Sequence, residues 1–375
     1  MKKDTECVHG GEIFDEATGG MNTPIYPSSA FEYRGRKDVP YPRYFNTPNQ
    51  RAIIEKLCIL EGAEDGVLFG SGMAAISTTL CAFAGAGDHV VMMDELYGGT
   101  HAFATDTFAR LGIAHSFAAT SAEAVCAAIR KDTKVVTIES PTNPLLSVID
   151  IRKVAACCRE KGAVSVIDNT FAGPILQNPL ALGIDVVVHS GTKYLGGHSD
   201  LCFGVAVSSK EKIMKILALA RHFGGTVNAQ TCYLIERSLK TLALRMERQT
   251  ENAGKIAGYL STRKDVTKVF YPGLAGSAGH SIARTQMSGF GAMLSFELDA
   301  RNAKPDEFLR RLMLIRPAVS LGGIETTICS PAKTSHAKMS AEERQRIGVT
   351  DGLLRLSVGI EHVDDLIGDL GQALG

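Results

Sequence analysis

Between Gly66 and Ser208 the chain alternates short apolar runs with segments of helical spacing. "GVLFGSG", "HVVMMDE", "IAHSFAA", "KVVTIES", "AVSVIDN", "DVVVHS" and "LCFGVAVSS" read as strands. The segments between them, such as "GMAAISTTLCAFAGAG" and "IRKVAACCREKG", read as helices. Strands that lack a polar alternation are buried on both faces. Such runs separated by helices imply an α/β fold with a largely parallel sheet.

The pattern differs on either side. Residues 1–45 are rich in Pro, Asn and Tyr ("MNTPIYPSSAFEY", "DVPYPRYFNTPNQ") and read as an extended arm. Residues 46–240 hold the α/β unit, with helical spacing from "RAIIEKLCILEGA" onward. From Thr241 a long polar helix leads into strands at "VTKVFY", "GAMLSFEL" and "LLRLSVGI". Residues 241–375 are therefore expected to form a second, smaller α/β domain with a more antiparallel sheet. A chain of 375 residues is long enough for both.

Charge and cysteine usage narrow the function. Lys plus Arg and Asp plus Glu number 40 each, which argues against nucleic acid or an anionic membrane as the main partner. The nine cysteines are scattered and form no C-x-x-C, so no metal is expected and the thiols suit a reducing cytoplasm. The N-terminus "MKKDTECVHGG" has no apolar core of the signal-peptide kind.

In doubly wound sheets ligands bind beyond the carboxyl ends of the strands. After "GVLF" comes "GSGMAA", where Ser71, Gly72 and Met73 open a helix whose free N–H groups suit a phosphate. After "HVVMMDE" comes Tyr97, placed to stack on a flat ring or simply to cover a core edge. After "KVVTIES" comes Asn143 in a rigid Pro-Thr-Asn-Pro turn. After "AVSVI" comes Asp168, a carboxylate that needs a partner if the strand is buried. After "DVVV" comes "HSGTKYLGGHSD", with Lys193 between Ser190, Thr192 and two glycines. The string "GSGMAA" also matches a dinucleotide fingerprint, with Asp94 where a ribose-binding acid would stand. A NAD-dependent oxidoreductase accounts for those features but leaves Lys193 and Asp168 without a role. Pyridoxal 5'-phosphate accounts for all five strand ends. Its phosphate lies on the helix start with help from Ser190 and Thr192, Tyr97 stacks on the ring, Asp168 pairs with the ring nitrogen, and Lys193 forms the Schiff base.

The segments "SGMAA", "YGGT", "ESPTNP", "IDNTF", "HSGTKYLGGHSD", "SLGGIE" and "GLLRLSVGIE" stand in the order found in the Cys/Met-metabolism pyridoxal-phosphate enzymes, and the chain resembles that family throughout. The family includes cystathionine γ-lyase, methionine γ-lyase and cystathionine γ-synthase. The resemblance implies a fold-type I PLP-dependent transferase: a mostly parallel seven-stranded sheet domain, a smaller C-terminal α/β domain and an N-terminal arm. It implies a homotetramer, a dimer of dimers with shared active sites, in which Tyr41 and Arg43 reach the neighbouring subunit's cofactor. It also implies that Arg355 grips the carboxylate of a small amino-acid substrate, with Ser320 and Asn143 in support, and that Lys193, Tyr97 and Asp168 are catalytic. The expected activity is a carbon–sulfur lyase producing an oxo acid, ammonia and a thiol by γ-elimination. The alternative is γ-replacement on an acylated homoserine, as in a γ-synthase. Departures from the family pattern are Tyr44 and Phe45 in the arm, Gly99 where methionine γ-lyases carry cysteine, Glu325 where sulfhydrylases carry lysine, and Ser330 in place of a histidine.

Overall fold

The computed structural model describes residues 1–299, 304–335, 337 and 340–375. Seven strands form the first sheet: β1 (Asp65–Phe69), β2 (His89–Met93), β3 (Ala114–Ala118), β4 (Thr133–Glu139), β5 (Val164–Asp168), β6 (Val186–Ser190) and β7 (Gly204–Ser208). Their order is β1-β7-β6-β5-β4-β2-β3. The pairs β2–β3, β2–β4, β4–β5 and β5–β6 are parallel. Val90, Val91, Val186, Val187 and Val188 are buried, as expected where helices cover both faces.

One strand departs from the parallel pattern. β7 runs antiparallel to both β6 and β1. The segment from Gly191 to Phe203 carries turns but no crossover helix, so the chain reverses and returns beside β6. A parallel neighbour would need a longer excursion. Because β7 is reversed against both neighbours, β1 again points the same way as β6. The helix Gly72–Phe83 therefore starts at the same end of the sheet as the carboxyl ends of β2, β4, β5 and β6.

The second sheet comprises β8 (Val266–Phe270), β9 (Met293–Leu298), β10 (Arg316–Pro317), β11 (Thr327–Cys329) and β12 (Leu353–Ser357), in the order β10-β11-β12-β9-β8. All its pairings are antiparallel except β10–β11. The helix Leu242–Ser261 joins the two layers. Leu242 and Met246 pack in the core of the first sheet, whereas Ala253, Ile256 and Leu260 pack in that of the second. Among the described residues no helix is long and apolar enough to cross a membrane.

The first 45 residues are less irregular than the sequence suggests, because Lys3–His9 forms a helix. Its last carbonyls are held by Lys56, a fully buried lysine whose Nζ donates to the oxygens of Cys7 (2.9 Å) and Val8 (3.2 Å). A short charged helix has no apolar period to betray it, and its anchor lies almost fifty residues away.

Gly204, at the start of β7, lets the helix Gly72–Phe83 seat against the sheet. A Cβ there would lie 2.2 Å from the carbonyl oxygen of Ser71 and 2.8 Å from Cα of Gly72, both backbone atoms. Gly204→Ala should therefore cost about 1–3 kcal/mol through forced backbone shifts. The expected reading is a thermal midpoint lowered by roughly 3–10 °C. An unchanged midpoint would show that the helix start is not held by this contact.

Candidate active site

The carboxyl ends of β2, β4, β5 and β6, the start of the helix after β1 and two segments of the second sheet's layer enclose a cavity of about 490 Å³. Ser71, Gly72, Met73, Tyr97, Asn143, Asp168, Ser190, Thr192, Lys193, Ser320 and Arg355 all line it. Tyr41 and Arg43 do not. Arg43 donates to the carbonyl of Arg221 (2.7 Å) and rests over the rings of Tyr41 and Tyr44, facing solvent. Asp94 is exposed and lies outside the cavity, so it has no part in this site.

The helix start is built for an anion. Ser71 caps the helix Gly72–Phe83, its Oγ accepting the N–H of Ala74 at 3.1 Å. The N–H groups of the first helical residues have no carbonyl within the helix to bond. A Cβ on Gly72 would fall 2.6 Å from Cβ of Ser190, so glycine allows the helix start and the β6 end to close on one another. Ser190 and Thr192 then bring hydroxyls to the same wall.

Asp168 ends β5 with its carboxylate held by Thr170. The Thr170 N–H (3.0 Å) and hydroxyl (2.5 Å) both donate to Oδ1. The same hydroxyl oxygen accepts the N–H of Ser190 at 2.8 Å, which turns its proton toward the acid. Burial pushes the Asp168 carboxyl above its usual range, and these bonds from Thr170 oppose the push. Both of the bonds fall on one oxygen, so a cationic N–H in the cavity is the partner this acid is suited to receive.

Lys193 lies half-buried in the turn after β6, and its Nζ donates to Oγ of Ser320 at 2.7 Å. Burial lowers its pKa, and the nearby guanidinium of Arg355 lowers it further. A larger share of the amine is therefore neutral and nucleophilic. The turn is fixed from behind by Arg245, whose guanidinium donates to the carbonyls of Tyr194 (2.7 Å) and Ser238 (3.0 Å).

Arg355, at the centre of β12, is 5% exposed. Its Nη1 donates to Oδ1 of Asn143 (2.7 Å) and its Nη2 to the carbonyl of Ser320 (3.0 Å). Both partners are neutral, and Nε is buried with no partner among the described residues. A buried guanidinium served only by neutral oxygens is short of an anion, and a carboxylate is the anion its planar fork fits.

Sequence reasoning missed Glu139, which ends β4, lines the cavity and accepts the Tyr97 N–H at 2.8 Å. The criterion applied to Asp168, a carboxylate ending a buried strand, applies equally to the glutamate of "ESPTNP". Thr170, Phe171, Cys202, Cys329 and Thr334 also line the cavity and went unremarked. Thr170 and Phe171 follow Asp168 directly and Cys202 follows the lysine segment, so a signal lay beside them; the neighbours of Cys329 and Thr334 carry none.

The donor set tests what fits here. A phosphate suits the helix start with its two hydroxyls, a protonated ring nitrogen suits Asp168, an aldehyde suits Lys193, and a flat ring suits Tyr97. Pyridoxal phosphate carries all four features. The comparisons agree with this chemistry. The family model described as "Cys/Met metabolism PLP-dependent enzyme" matches residues 4–375. A cystathionine beta-lyase of Lactococcus lactis subsp. cremoris (strain MG1363) is 44% identical over 375 residues, covering 99% of this chain and 98% of the relative. A cystathionine gamma-lyase of Bacillus subtilis (strain 168) is 43% identical over 378 residues, covering 100% and 99%. The solved cystathionine gamma-lyase from Lactobacillus plantarum, complexed with L-serine, superposes with a TM-score of 0.95 at 40% identity, covering 100% of this chain and 98% of that one. With its motifs, cavity and whole-length match in agreement, the chain belongs to the Cys/Met metabolism PLP-dependent enzymes.

Proposed function

We propose that the protein is a carbon–sulfur lyase that cleaves a sulfur amino acid of the cystathionine type by γ-elimination, giving an oxo acid, ammonia and a thiol. The observation that carries the reading is the pairing of two groups across one cavity. A lysine amine of lowered pKa faces a buried guanidinium that has no anionic partner among the described residues. One group moves protons and the other holds the substrate's carboxylate.

Bound pyridoxal phosphate supplies an electron sink for the charge left when Cα loses its proton. Ser71, Gly72, Met73, Ser190 and Thr192 would hold its phosphate. Asp168 would pair with the ring nitrogen and keep it protonated, Tyr97 would cover the ring face, and Lys193 would supply the amine that binds the aldehyde. Arg355 takes the substrate carboxylate in its fork, Asn143 and Ser320 fix the fork, and Cα–H is thereby aimed at the Lys193 amine. Lys193 would take the Cα proton and return it elsewhere on the bound substrate–cofactor framework, so that it is neutral again when it takes a Cβ proton. That second proton would go to the departing sulfur, directly from Lys193 or through Tyr97, and water would release the oxo acid and ammonia.

The division of labour along the chain follows. Residues 46–240 form the cofactor domain and residues 241–375 the domain that brings Arg355 and Ser320. Residues 1–45 form an arm that serves a neighbouring subunit within a homotetramer. Two features support this reading of the arm. Phe14, Met21, Tyr26 and Tyr33 leave large apolar side chains exposed along it, and Tyr41 and Arg43 touch no part of their own cavity. A cytoplasmic location suits nine free thiols.

The products of pure holoprotein acting on L-cystathionine test the function. γ-Elimination releases 2-oxobutyrate and cysteine, and β-elimination releases pyruvate and homocysteine. Cystathionine formed from an acylated homoserine and cysteine, without lyase products, would make the enzyme a γ-synthase instead.

Arg355→Ala should lower kcat/KM by roughly 30-fold to several thousand-fold, from the loss of a charge-assisted contact of about 2–5 kcal/mol. Arg355→Lys should remain impaired because an ammonium cannot reproduce the fork. The cofactor's colour should persist in both. A variant with the parent's kcat/KM, or one that has lost its colour, would remove Arg355 from the substrate carboxylate.

Mixed oligomers test the arm. Arg43→Ala and Lys193→Ala should each be weak or inactive alone. Hybrids of the two should regain activity, since one class of site then holds both residues intact. Verified hybrids without recovery would rule out a shared site.

A further inference from the structure

Glu139 has no task in the reaction as described, yet it stands among the groups that perform it. It ends β4 in register with Asp168 at the end of β5, and both line the cavity. Residues in register on neighbouring parallel strands project to the same face, with the strands about 4.8 Å apart. Glu139 is 4% exposed. Each of two carboxyls so placed makes the other costlier to ionise. Asp168 has the Thr170 donors and is matched to a ring N–H, so Glu139 is the one favoured to keep its proton. Burial holds the Glu139 carboxyl well above the usual carboxylate range. Asp168 on β5 and Glu95 in the loop after β2 add to the effect, and the N–H groups of Tyr97 and Asn143 oppose it.

The bond to Tyr97 suggests what the side chain does. Oε2 accepts the backbone N–H of Tyr97 at 2.8 Å, at the start of the helix Gly98–Thr107, where the Tyr97 side chain makes no cap of its own. The buried carboxyl thus ties the end of β4 to the backbone beneath the ring that lines the cavity. We infer that Glu139 is a positioning residue which, as a neutral acid, holds Tyr97 against the cofactor ring.

This inference rests on the role given above to Tyr97. Its test compares holoprotein variants Glu139→Ala, Glu139→Gln and Tyr97→Ala. The readouts are the visible circular dichroism of the bound cofactor, the dissociation constant of pyridoxal phosphate on reconstitution of the stripped protein, kcat and KM for L-cystathionine, and the thermal midpoint. Glu139→Ala should alter the dichroic band per bound cofactor, weaken cofactor binding and lower kcat/KM by roughly tenfold to hundredfold, for a lost hydrogen bond that leaves the Tyr97 N–H without its acceptor. Glu139→Gln, which keeps an acceptor oxygen and the neutral charge, should restore the band and recover most of the lost kcat/KM. A merely structural role would lower the midpoint while leaving the band and the dissociation constant in place, and that result overturns the inference. So does a folded Glu139→Gln protein as impaired as Glu139→Ala, which would make the charge the active property. Should Glu139→Ala fail to fold, Glu139→Gln decides alone: a parent-like band supports the inference and a collapsed band in folded protein overturns it. A silent Tyr97→Ala would overturn the assignment of Tyr97 itself. An impaired Tyr97→Ala beside a silent Glu139→Ala would overturn the role of Glu139 only.

Discussion

A carboxylate at the end of a buried strand is the constraint on which the rest of the site depends. Asp168 leaves water with the fold, and a bare charge there would be unfavourable by several kcal/mol. The structure meets that demand locally, through a threonine two residues on whose hydroxyl is oriented by the N–H of Ser190. The bond to Ser190 also ties β5 to the end of β6, and the turn that follows carries Lys193. The acid and the lysine are therefore held by one run of hydrogen bonds. Their spacing is set by the sheet, where β5 and β6 are parallel neighbours.

The cavity is closed from the other side by groups that belong to the second sheet's layer. Lys193 bonds Ser320, and Asn143 bonds Arg355, so two polar groups from the first layer each meet one from the second. The backbone of Ser320 also serves Arg355. Ser320 itself sits at φ 75°, a conformation that favours glycine, and Gly322 at φ 80° has only 2.8 Å between a notional Cβ and the N of Tyr194. The Ser320–Gly322 segment is thus pressed onto the lysine turn. A contact this close couples the half-buried amine of Lys193 to the buried guanidinium of Arg355. The amine's pKa falls partly because the guanidinium is near. An anion arriving at Arg355 would relieve some of that repulsion, so anion binding and the lysine's proton affinity are linked through one pocket.

Much of this was legible before any coordinates. The apolar runs marked the strands inside the sheet because burial on both faces leaves no polar alternation, whereas the edge strand β3, "AHSFA", is only partly buried. The rule that ligands sit beyond strand ends then led to Ser71, Tyr97, Asn143, Asp168 and Lys193, and the structure gathers these around one cavity. The family was legible too, from motifs in a fixed order, and the whole-length match bears it out. Glu139 ends a buried strand as Asp168 does, so its place at the site was legible; that the two carboxyls stand side by side depends on which strand lies beside β4. The helix Lys3–His9 was overlooked because it is held by a lysine far along the chain, with little support from an apolar stripe of its own.

The sequence by itself determined which side chains end which strands, since a strand's end and the residue after it are local properties set by apolar runs and by turn residues. It determined the helix start at Ser71 for the same reason: the cap and the glycine act within one turn. Only the tertiary structure decided the order of the strands, and with it that Glu139 neighbours Asp168. It alone decided that β7 returns antiparallel, and that Arg355 meets Asn143 across an interval of 212 residues. Burial and proton affinity follow from those long-range neighbours, because the cost of a charge depends on what displaces its water. That is why the chain's chemistry could be read residue by residue, whereas the partners that tune it appeared only once the sheet was assembled.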